Sequence, residues 1–411
     1  MPGSRGIDGV RLLGRLQALG AVGRGPDGAL TRLAGSDADK HGRDLVSGWM
    51  REAGLRVEVD QVGNLFGTLD GSDAAADPVM VGSHIDSVIN AGIYDGCYGV
   101  LAGLEVAQRF AETGAGLARP LTIAAFTDEE GVRFQPDMLG SLVHAGGLSV
   151  EAALASVGTD GATLGDELAR IGYAGAMVPG TIRPSAYLEL HIEQGPVLEH
   201  EGVRIGAVEN LQGISWQRVT IEGDANHAGT TPIRMRRDAG LAAARVVTFL
   251  RDHVDASNAP TVATVGTMRF EPDAINVIPS RATFTVDLRD PDEDRLKAAE
   301  AALAAYLDRL ARQDGVTVST ERLARFDPVI FDEGLVRRIE QAARARGLSC
   351  RRMTSGAGHD AQMMARLAPS AMIFVPSVGG ISHNPKEFTE PADLVAGAEV
   401  LMDVVAELCG G

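Results

Sequence analysis

The chain has 411 residues, of which 45% are hydrophobic, and a formal net charge of −17. This length suits two domains, and a mean hydropathy of +0.02 is typical of a soluble globular protein with a large core. The acidic balance excludes non-specific nucleic-acid binding, because that function needs a basic surface.

The three cysteines, Cys97, Cys350 and Cys409, lie far apart and show no metal-type spacing. An odd, low cysteine count predicts a reducing compartment and no disulfide framework. The beginning of the chain has no apolar signal core, and no apolar run approaches the ~20 residues that cross a bilayer. We therefore expect a cytoplasmic protein without a membrane partner.

Helices and strands alternate in the first half of the chain. The spacing of apolar residues predicts helices at 7–20, 38–53, 97–113, 150–154 and 164–169. Alternating or continuous apolar runs predict strands at 55–59, 64–69, 79–83, 121–126 and 186–190. This alternation predicts an α/β fold in which helices cover both faces of a mixed, mostly parallel sheet.

The pattern changes at about residue 212. Strands are predicted at 216–222, 261–270 and 281–288, and long helices at 237–253 and 291–313. Their order indicates a compact α+β module similar to the ferredoxin-like motif. From about residue 326 the α/β pattern returns, with a helix at 332–347, a strand at 371–375 and a helix at 391–409. We expect a catalytic domain in two parts, 1–211 and 327–411, around an inserted lid and dimerisation domain at 212–326.

Titratable side chains follow four of the predicted strands. In strand order they are His84, Asp86 and Asp95; Asp128, Glu129 and Glu130; His191; and His383. Taken singly, each has a plainer explanation as a solvated acidic loop or a core histidine. Because strand ends of an open α/β sheet meet at one edge, their joint occurrence favours a metal site.

These residues fit two divalent ions that share one carboxylate. The expected ligands are His84, Asp95 and His191 for one ion, and Asp95, Glu130 and His383 for the other. Such ions would lower the pKa of water toward neutrality, and Glu129 would then serve as general base and later as proton donor. We expect Asp86 to accept the second ring N–H of His84 and fix its tautomer. Zinc is expected first, but manganese, cobalt and nickel suit the same ligands.

The motifs resemble those of the M20-type dinuclear metallohydrolases. The resemblance is carried by His84-x-Asp86, Asp95-Gly96, Asp128-Glu129-Glu130-Gly131, His191 to Pro196, and Ser382-His383-Asn384. Gly131-x-Arg133-Phe134 and the histidine at 191 are similar to the hydantoinase/carbamoylase amidase branch. That branch contains N-carbamoyl-L-amino-acid hydrolases, β-ureidopropionases and allantoate amidohydrolases. The loop at 88–92 departs from the family pattern, since it lacks a proline and a second glycine.

The resemblance implies an enzyme that cleaves the C–N bond of an N-carbamoyl (ureido) amino acid into amino acid, ammonia and carbon dioxide. It implies substrate contacts at Gln194, His227, Asn276, Arg289 and Gly358. His227 would stabilise the oxyanion, often from the partner subunit of a homodimer, and Arg289 would hold the substrate carboxylate. An ion pair inside its own domain is the alternative for Arg289.

Three alternatives remain open. The substrate is allantoate; or the same core serves an N-acyl-amino-acid deacylase or an aminopeptidase; or the protein is a catalytically silent dimeric scaffold. His144, His200 and His253 lie outside all of these motifs, and we interpret them as structural or surface residues.

Overall fold

A computed structural model describes residues 6–26, 28–114 and 116–410. The chain divides into two compact units. The first comprises Met1–Glu209 and Phe331–Gly411, and the second comprises Asn210–Ile330. The segment expected as an insertion, 212–326, lies inside the second unit.

The helices and strands follow one another in three stretches of chain. The first stretch contains α1 (Gly9–Gly20), α2 (Asp37–Glu52), β1 (Arg56–Val59), β2 (Leu65–Leu69), β3 (Val79–His84), α3 (Cys97–Thr113), β4 (Leu121–Phe126), α4 (Leu139–His144), α5 (Val150–Leu154), α6 (Leu164–Ile171), β5 (Ala186–Ile192), α7 (Val197–Glu201) and β6 (Ile205–Leu211). The second contains β7 (Gly213–Glu222), α8 (Ala239–Ser257), β8 (Val262–Glu271), β9 (Arg281–Asp290), α9 (Glu293–Asp314), β10 (Thr317–Phe326) and β11 (Val329–Ile330). The third contains α10 (Glu333–Ala345), β12 (Cys350–Ser355), α11 (Asp360–Met364), β13 (Ser370–Val375) and α12 (Pro391–Leu408).

The sheet of the first unit has four parallel strands at its centre. Its order is β1-β2-β4-β3-β5-β13-β6, and β12 also pairs with β6. Strand β3 is parallel to β4 and β5, and β13 is parallel to β5, whereas β1, β2 and β6 add antiparallel pairs. Every residue of β3, β4, β5 and β13 is buried, as expected for strands covered on both faces. The carboxyl ends of these four strands therefore lie side by side at one edge.

Helix α3 packs closely against this central sheet. A side-chain carbon added at Gly99 would lie 2.5 Å from the main-chain oxygen of Leu190, and one added at Gly103 would lie 2.8 Å from Cγ1 of Val81. The two glycines therefore allow the helix backbone to approach β3 and β5. Because α3 begins two residues after Asp95, its depth also controls the position of that carboxylate.

The second unit is a four-stranded antiparallel sheet packed against two helices. The strand order is β10-β7-β9-β8, and the elements follow one another as β7-α8-β8-β9-α9-β10. Buried and partly exposed residues alternate along β9, so one face of this strand joins the core with α8 and α9. The core contains Val219, Ile221, Phe284, Val286, Val246, Leu303 and Leu307.

The predicted fold class is confirmed, including the smaller α+β module. Several elements were not predicted with bounds: β6, β10, β11, β12, α4, α7 and α11. They are short or carry polar residues and glycine, so their apolar periodicity is weak. Among the described residues, none of the helices combines the length and apolar character that a bilayer crossing requires.

We predict that Gly99→Ala destabilises the protein whereas Gly14→Ala stabilises it. The added methyl group at 99 meets the main chain of β5, and such overpacking costs about 1–3 kcal/mol. Nothing lies within 4 Å of the corresponding position at Gly14 in α1, and replacing a helical glycine with alanine gains about 1 kcal/mol. Thermal unfolding of both variants checks this, and shifts of the same sign would contradict the close packing of α3.

Candidate active site

The ends of the four central strands bring the predicted ligands together. His84 is the last residue of β3, His191 lies near the end of β5, Glu129 and Glu130 follow β4, and His383 follows β13. Asp95 lies in the loop that connects β3 to α3. Among the described residues, three groups of potential ligand atoms are close enough to hold a metal ion. Two of them are the predicted ligand groups: His84, Asp95 and His191; and Asp95, Glu130 and His383. The third, Glu189, His191 and His359, was not predicted.

The carboxylate of Asp95 is common to both predicted groups, and its two oxygens face different histidines. Oδ1 lies 3.5 Å from Nε2 of His84 and 3.2 Å from Nε2 of His191. Oδ2 lies 3.3 Å from Nε2 of His383, which is itself 3.4 Å from Oε2 of Glu130. One carboxylate therefore stands between two ligand sets, as a bridging ligand must.

Main-chain carbonyls orient two of the imidazoles. Nδ1 of His84 lies 3.0 Å from the carbonyl oxygen of Asp86, and Nδ1 of His191 lies 2.9 Å from that of Ile192. Because a carbonyl only accepts, each Nδ1 carries the proton. Nε2 of His191 accepts a hydrogen bond from the Gly96 N–H at 3.0 Å. In its neutral ring, Nε2 of His84 therefore carries a lone pair next to Oδ1 of Asp95, which suits a cation between them.

The expected role of Asp86 needs correction. Its carboxylate was expected to accept the ring N–H of His84, but Oδ1 is 3.8 Å from Nδ1, beyond hydrogen-bond range. The nearer main-chain carbonyl of Asp86 accepts instead. The carboxylate accepts the main-chain N–H groups of Glu129 and Glu130, each at 3.3 Å, so Asp86 positions the acidic pair after β4.

Burial and mutual charge perturb the carboxyl groups of this cluster. Burial raises the pKa of Glu129 well above its usual range, against the charge of His84. Burial and then the charge of Asp95 raise the pKa of Glu130 to about 8. Burial also acts to raise the pKa of Asp95, but the adjoining imidazoles of His191, His383 and His84 hold it well below its usual range.

The donor atoms of the cluster are compatible with a divalent cation. Buried carboxylates repel one another unless protons or metal ions neutralise them. Oε1 of Glu130 is buried and accepts no hydrogen bond from any described residue, so it keeps a lone pair for a ligand. Imidazole and carboxylate donors of this kind suit zinc and related transition metals.

Glu129 lies beside the ligand sets without belonging to either. Its Oε2 is 3.4 Å from Nε2 of His84, and its side chain lines a pocket over the cluster. The pocket is formed by Asp95, Glu129, Glu130, Asp137, Gln194, Ala357, Gly358, His359 and His383. A carboxyl group with a raised pKa at the wall of such a pocket is well placed to exchange protons with a bound molecule.

Two of the expected substrate contacts, Gln194 and Gly358, also line this pocket. The amide nitrogen of Gln194 donates to Oδ2 of Asp95 at 2.7 Å, while its buried Oε1 has no partner among the described residues. The backbone at Gln194 is left-handed, with φ at 57°. Its side chain thus presents an acceptor beside the ligand cluster.

The other expected substrate contacts, His227, Asn276 and Arg289, belong to the second unit. Nδ1 of His227 accepts the N–H groups of Gly229 and Thr230 at 3.0 and 3.2 Å, so the neutral ring exposes Nε2–H as a donor. The Ala228 N–H donates to the Asn276 carbonyl at 3.0 Å, which links the two loops. Arg289 forms an ion pair with Asp287 at 2.9 Å, which is the intradomain interaction considered as its alternative.

Several pocket residues were not predicted as site residues. Asp137 is an exception: the sequence predicts that the segment 135–139, after Arg133-Phe134, lines the pocket, and Asp137 does line it. His359 stacks edge-on against His191, with ring centroids 4.6 Å apart, and burial lowers its pKa well below the usual value. In the sequence Gly358-His359-Asp360, only Gly358 is among the predicted substrate contacts. The histidine next to that glycine was the sequence feature that could have identified His359 as a pocket residue.

Comparison with known proteins places the whole chain among amidohydrolases. The sequence profile of peptidase family M20/M25/M40 matches residues 80–407. The chain is 41% identical over 404 residues to an N-carbamoyl-L-amino-acid amidohydrolase of Rhizobium meliloti, covering 98% of this chain and 97% of that protein. It is 35% identical over 395 residues to an allantoate amidohydrolase of Bacillus subtilis (strain 168), covering 96% of each chain. A crystal structure of a hydantoinase/carbamoylase family amidase from Burkholderia multivorans superposes with a TM-score of 0.96 at 44% identity, over 98% of both chains.

Proposed function

The chain belongs to peptidase family M20/M25/M40, and we propose that it is a metal-dependent amidohydrolase that cleaves the C–N bond of an N-carbamoyl (ureido) amino acid. The observation that carries this proposal is Asp95, whose two oxygens face separate histidines beside Glu129 in one pocket. With one water, the substrate would yield the amino acid, ammonia and carbon dioxide. Identity to the Rhizobium meliloti protein, 41%, exceeds identity to the allantoate amidohydrolase, 35%, and favours N-carbamoyl amino acids over allantoate.

We assign two divalent ions, zinc first, to the cluster. His84, Asp95 and His191 would hold one ion, and Asp95, Glu130 and His383 the other. Such ions lower the pKa of a water molecule and polarise a carbonyl oxygen. The three cysteines are unpaired, which supports a reducing, cytoplasmic location.

Proton transfer, substrate orientation and oxyanion stabilisation are assigned to side chains of the protein. Glu129 takes a proton from the attacking water and delivers it to the departing nitrogen, because its buried carboxyl holds a proton more readily than an exposed one. Gln194 orients the substrate through its unpartnered oxygen. His227 offers a ring N–H to the developing oxyanion, and Arg289, together with Asn276, holds the substrate carboxylate. Arg289 would then share its guanidinium between Asp287 and the substrate.

The second unit is proposed to form the contact of a homodimer. Strand β8 is an outer strand of the four-stranded sheet, and most of its side chains are exposed. An exposed sheet edge pairs readily with a second copy across a two-fold axis. In such a dimer His227 would serve the partner's pocket.

Glu129→Gln should lower ammonia release by at least about 100-fold, since proton transfer by a positioned group contributes ~10²–10⁴ in rate. The assay compares N-carbamoyl-L-amino acids, N-carbamoyl-β-alanine, allantoate, N-acetyl-amino acids and dipeptides. Glu151→Gln, an exposed acid of α5, is the matched control with unchanged activity. Full activity of Glu129→Gln would refute its role, and hydrolysis of dipeptides or acetyl substrates alone would favour the deacylase or aminopeptidase alternative.

His383→Ala should reduce bound zinc from two ions to one per chain, because His383 belongs to only one of the two ligand groups. The measurement is metal analysis of stripped protein after reloading with zinc and dialysis. His200→Ala, at an exposed position of α7, should retain both ions. Two ions in His383→Ala, or none in the wild-type protein, would contradict the assignment.

Mixing two inactive variants tests the trans role of His227. Glu129→Gln and His227→Ala should each be nearly inactive alone, whereas subunit exchange should restore activity. In a mixed dimer, the subunit that retains Glu129 receives His227 from its partner. Absence of restored activity in samples shown to contain mixed dimers would place His227 in its own subunit's site, and sedimentation as a monomer would exclude the dimer.

A further inference from the structure

We propose that Glu387 is a positioning residue that clamps the loop carrying Asp95 to the loop carrying His383. Neither the strand-end pattern nor the two ligand groups include this side chain. It lies four residues after His383, in the connection between β13 and α12, and is 6% exposed. The proposal rests on the proposed function, since it concerns how the ligands are held.

The carboxylate of Glu387 joins the two loops through both of its oxygens. Oε1 accepts the main-chain N–H groups of Tyr94 and Asp95 at 2.9 and 3.3 Å. Oε2 accepts the hydroxyl of Ser382 at 2.8 Å. The same hydroxyl lies 3.0 Å from Oδ2 of Asp95. Glu387 therefore fixes the backbone at Asp95 and the residue preceding His383 at the same time.

Gly92 shows how closely Glu387 is fitted into the Asp95 loop. A side-chain carbon added at Gly92 would lie 2.3 Å from both Cβ and Oε1 of Glu387. The backbone of Gly92 is not in the left-handed region, so its conformation does not require glycine. The three atoms nearest to the added carbon all belong to the Glu387 side chain, which therefore leaves room only for a hydrogen at this position.

Stability alone does not explain a carboxylate in this place. Burying a carboxylate is costly without a compensating cation, and the ion pairs formed by the described residues do not include Glu387. Its neighbour through Ser382 is the carboxylate of Asp95, which has the same charge. The arrangement becomes favourable when cations bind between Asp95 and the histidines. A role in holding the two ligand loops explains both why Glu387 is buried and why its carboxylate lies close to that of Asp95.

The clamp acts mainly on the ligand group that contains His383. His84 and His191 lie within or at the end of strands and keep their own main-chain partners. His383 instead lies in a loop, with half of its side chain exposed. Loss of Glu387 should therefore loosen the Asp95–Glu130–His383 group more than the other. Groups that orient metal ligands typically contribute 10–100-fold to metal affinity.

The first test is a titration of metal-stripped protein with Co²⁺, followed by visible absorption. Glu387→Ala should weaken one of two Co²⁺ sites by about 10–100-fold and leave the other close to wild type. Glu387→Gln should lie between the two, because an amide oxygen still accepts the N–H groups of Tyr94 and Asp95. Asp60→Asn is the matched control: Asp60 is buried and accepts N–H groups from Val62 and Asn64, neither of which is a proposed ligand. It should lower stability without changing Co²⁺ affinity.

The second test is a double-mutant cycle of Gly92→Ala and Glu387→Gly, measured by thermal unfolding of the metal-free protein. Gly92→Ala should lower the midpoint by several degrees in the wild-type background and by much less in the Glu387→Gly background, because glycine lacks both the Cβ and the Oε1 that the added carbon meets. Additive effects in this cycle, or unchanged affinity for both Co²⁺ ions in Glu387→Ala and Glu387→Gln, would overturn the proposal. Failure of the wild-type protein to bind Co²⁺ would instead refute the proposed function, and the cycle would still test the clamp.

Discussion

The site depends on a single shared carboxylate. Asp95 presents one oxygen to His84 and His191 and the other to His383, so any displacement of its loop changes both ligand groups together. Three contacts hold it: the Gln194 amide and the Ser382 hydroxyl at its own side chain, and Glu387 at its main chain. At the other end of the loop, α3 is fixed by the close packing of Gly99 and Gly103 against β5 and β3.

The fold tolerates an unusual concentration of buried carboxyl groups at this edge. Asp86, Asp95, Asp128, Glu129, Glu130 and Glu387 are buried or nearly so, and no lysine or arginine lies among the residues that line the pocket. Such a cluster is expected to lower the stability of the protein, and a bound cation would relieve the repulsion, so the proposed metal binding would be coupled to folding. The four parallel strands supply the rigid support that this requires.

Much of the fold, and the convergence of the proposed ligands at one sheet edge, could be predicted because both follow simple periodic rules. Buried strands read as continuous apolar runs, and His84, Glu130, His191 and His383 each follow one. In the second unit, the alternating strands and the long helices were enough to predict the order of its elements along the chain. Asp86 was misjudged because sequence does not distinguish a carboxylate from the main-chain carbonyl of the same residue. Glu387 was missed because a loop without periodicity carries no signal of where a side chain points.

The most direct measurement of the central claim is anomalous diffraction from crystals of the zinc-loaded protein. The account predicts two zinc peaks about 3.5–4 Å apart, both within bonding distance of Asp95, with His84 and His191 at one ion and Glu130 and His383 at the other. A single peak at this edge, or two ions that do not share Asp95, would contradict it.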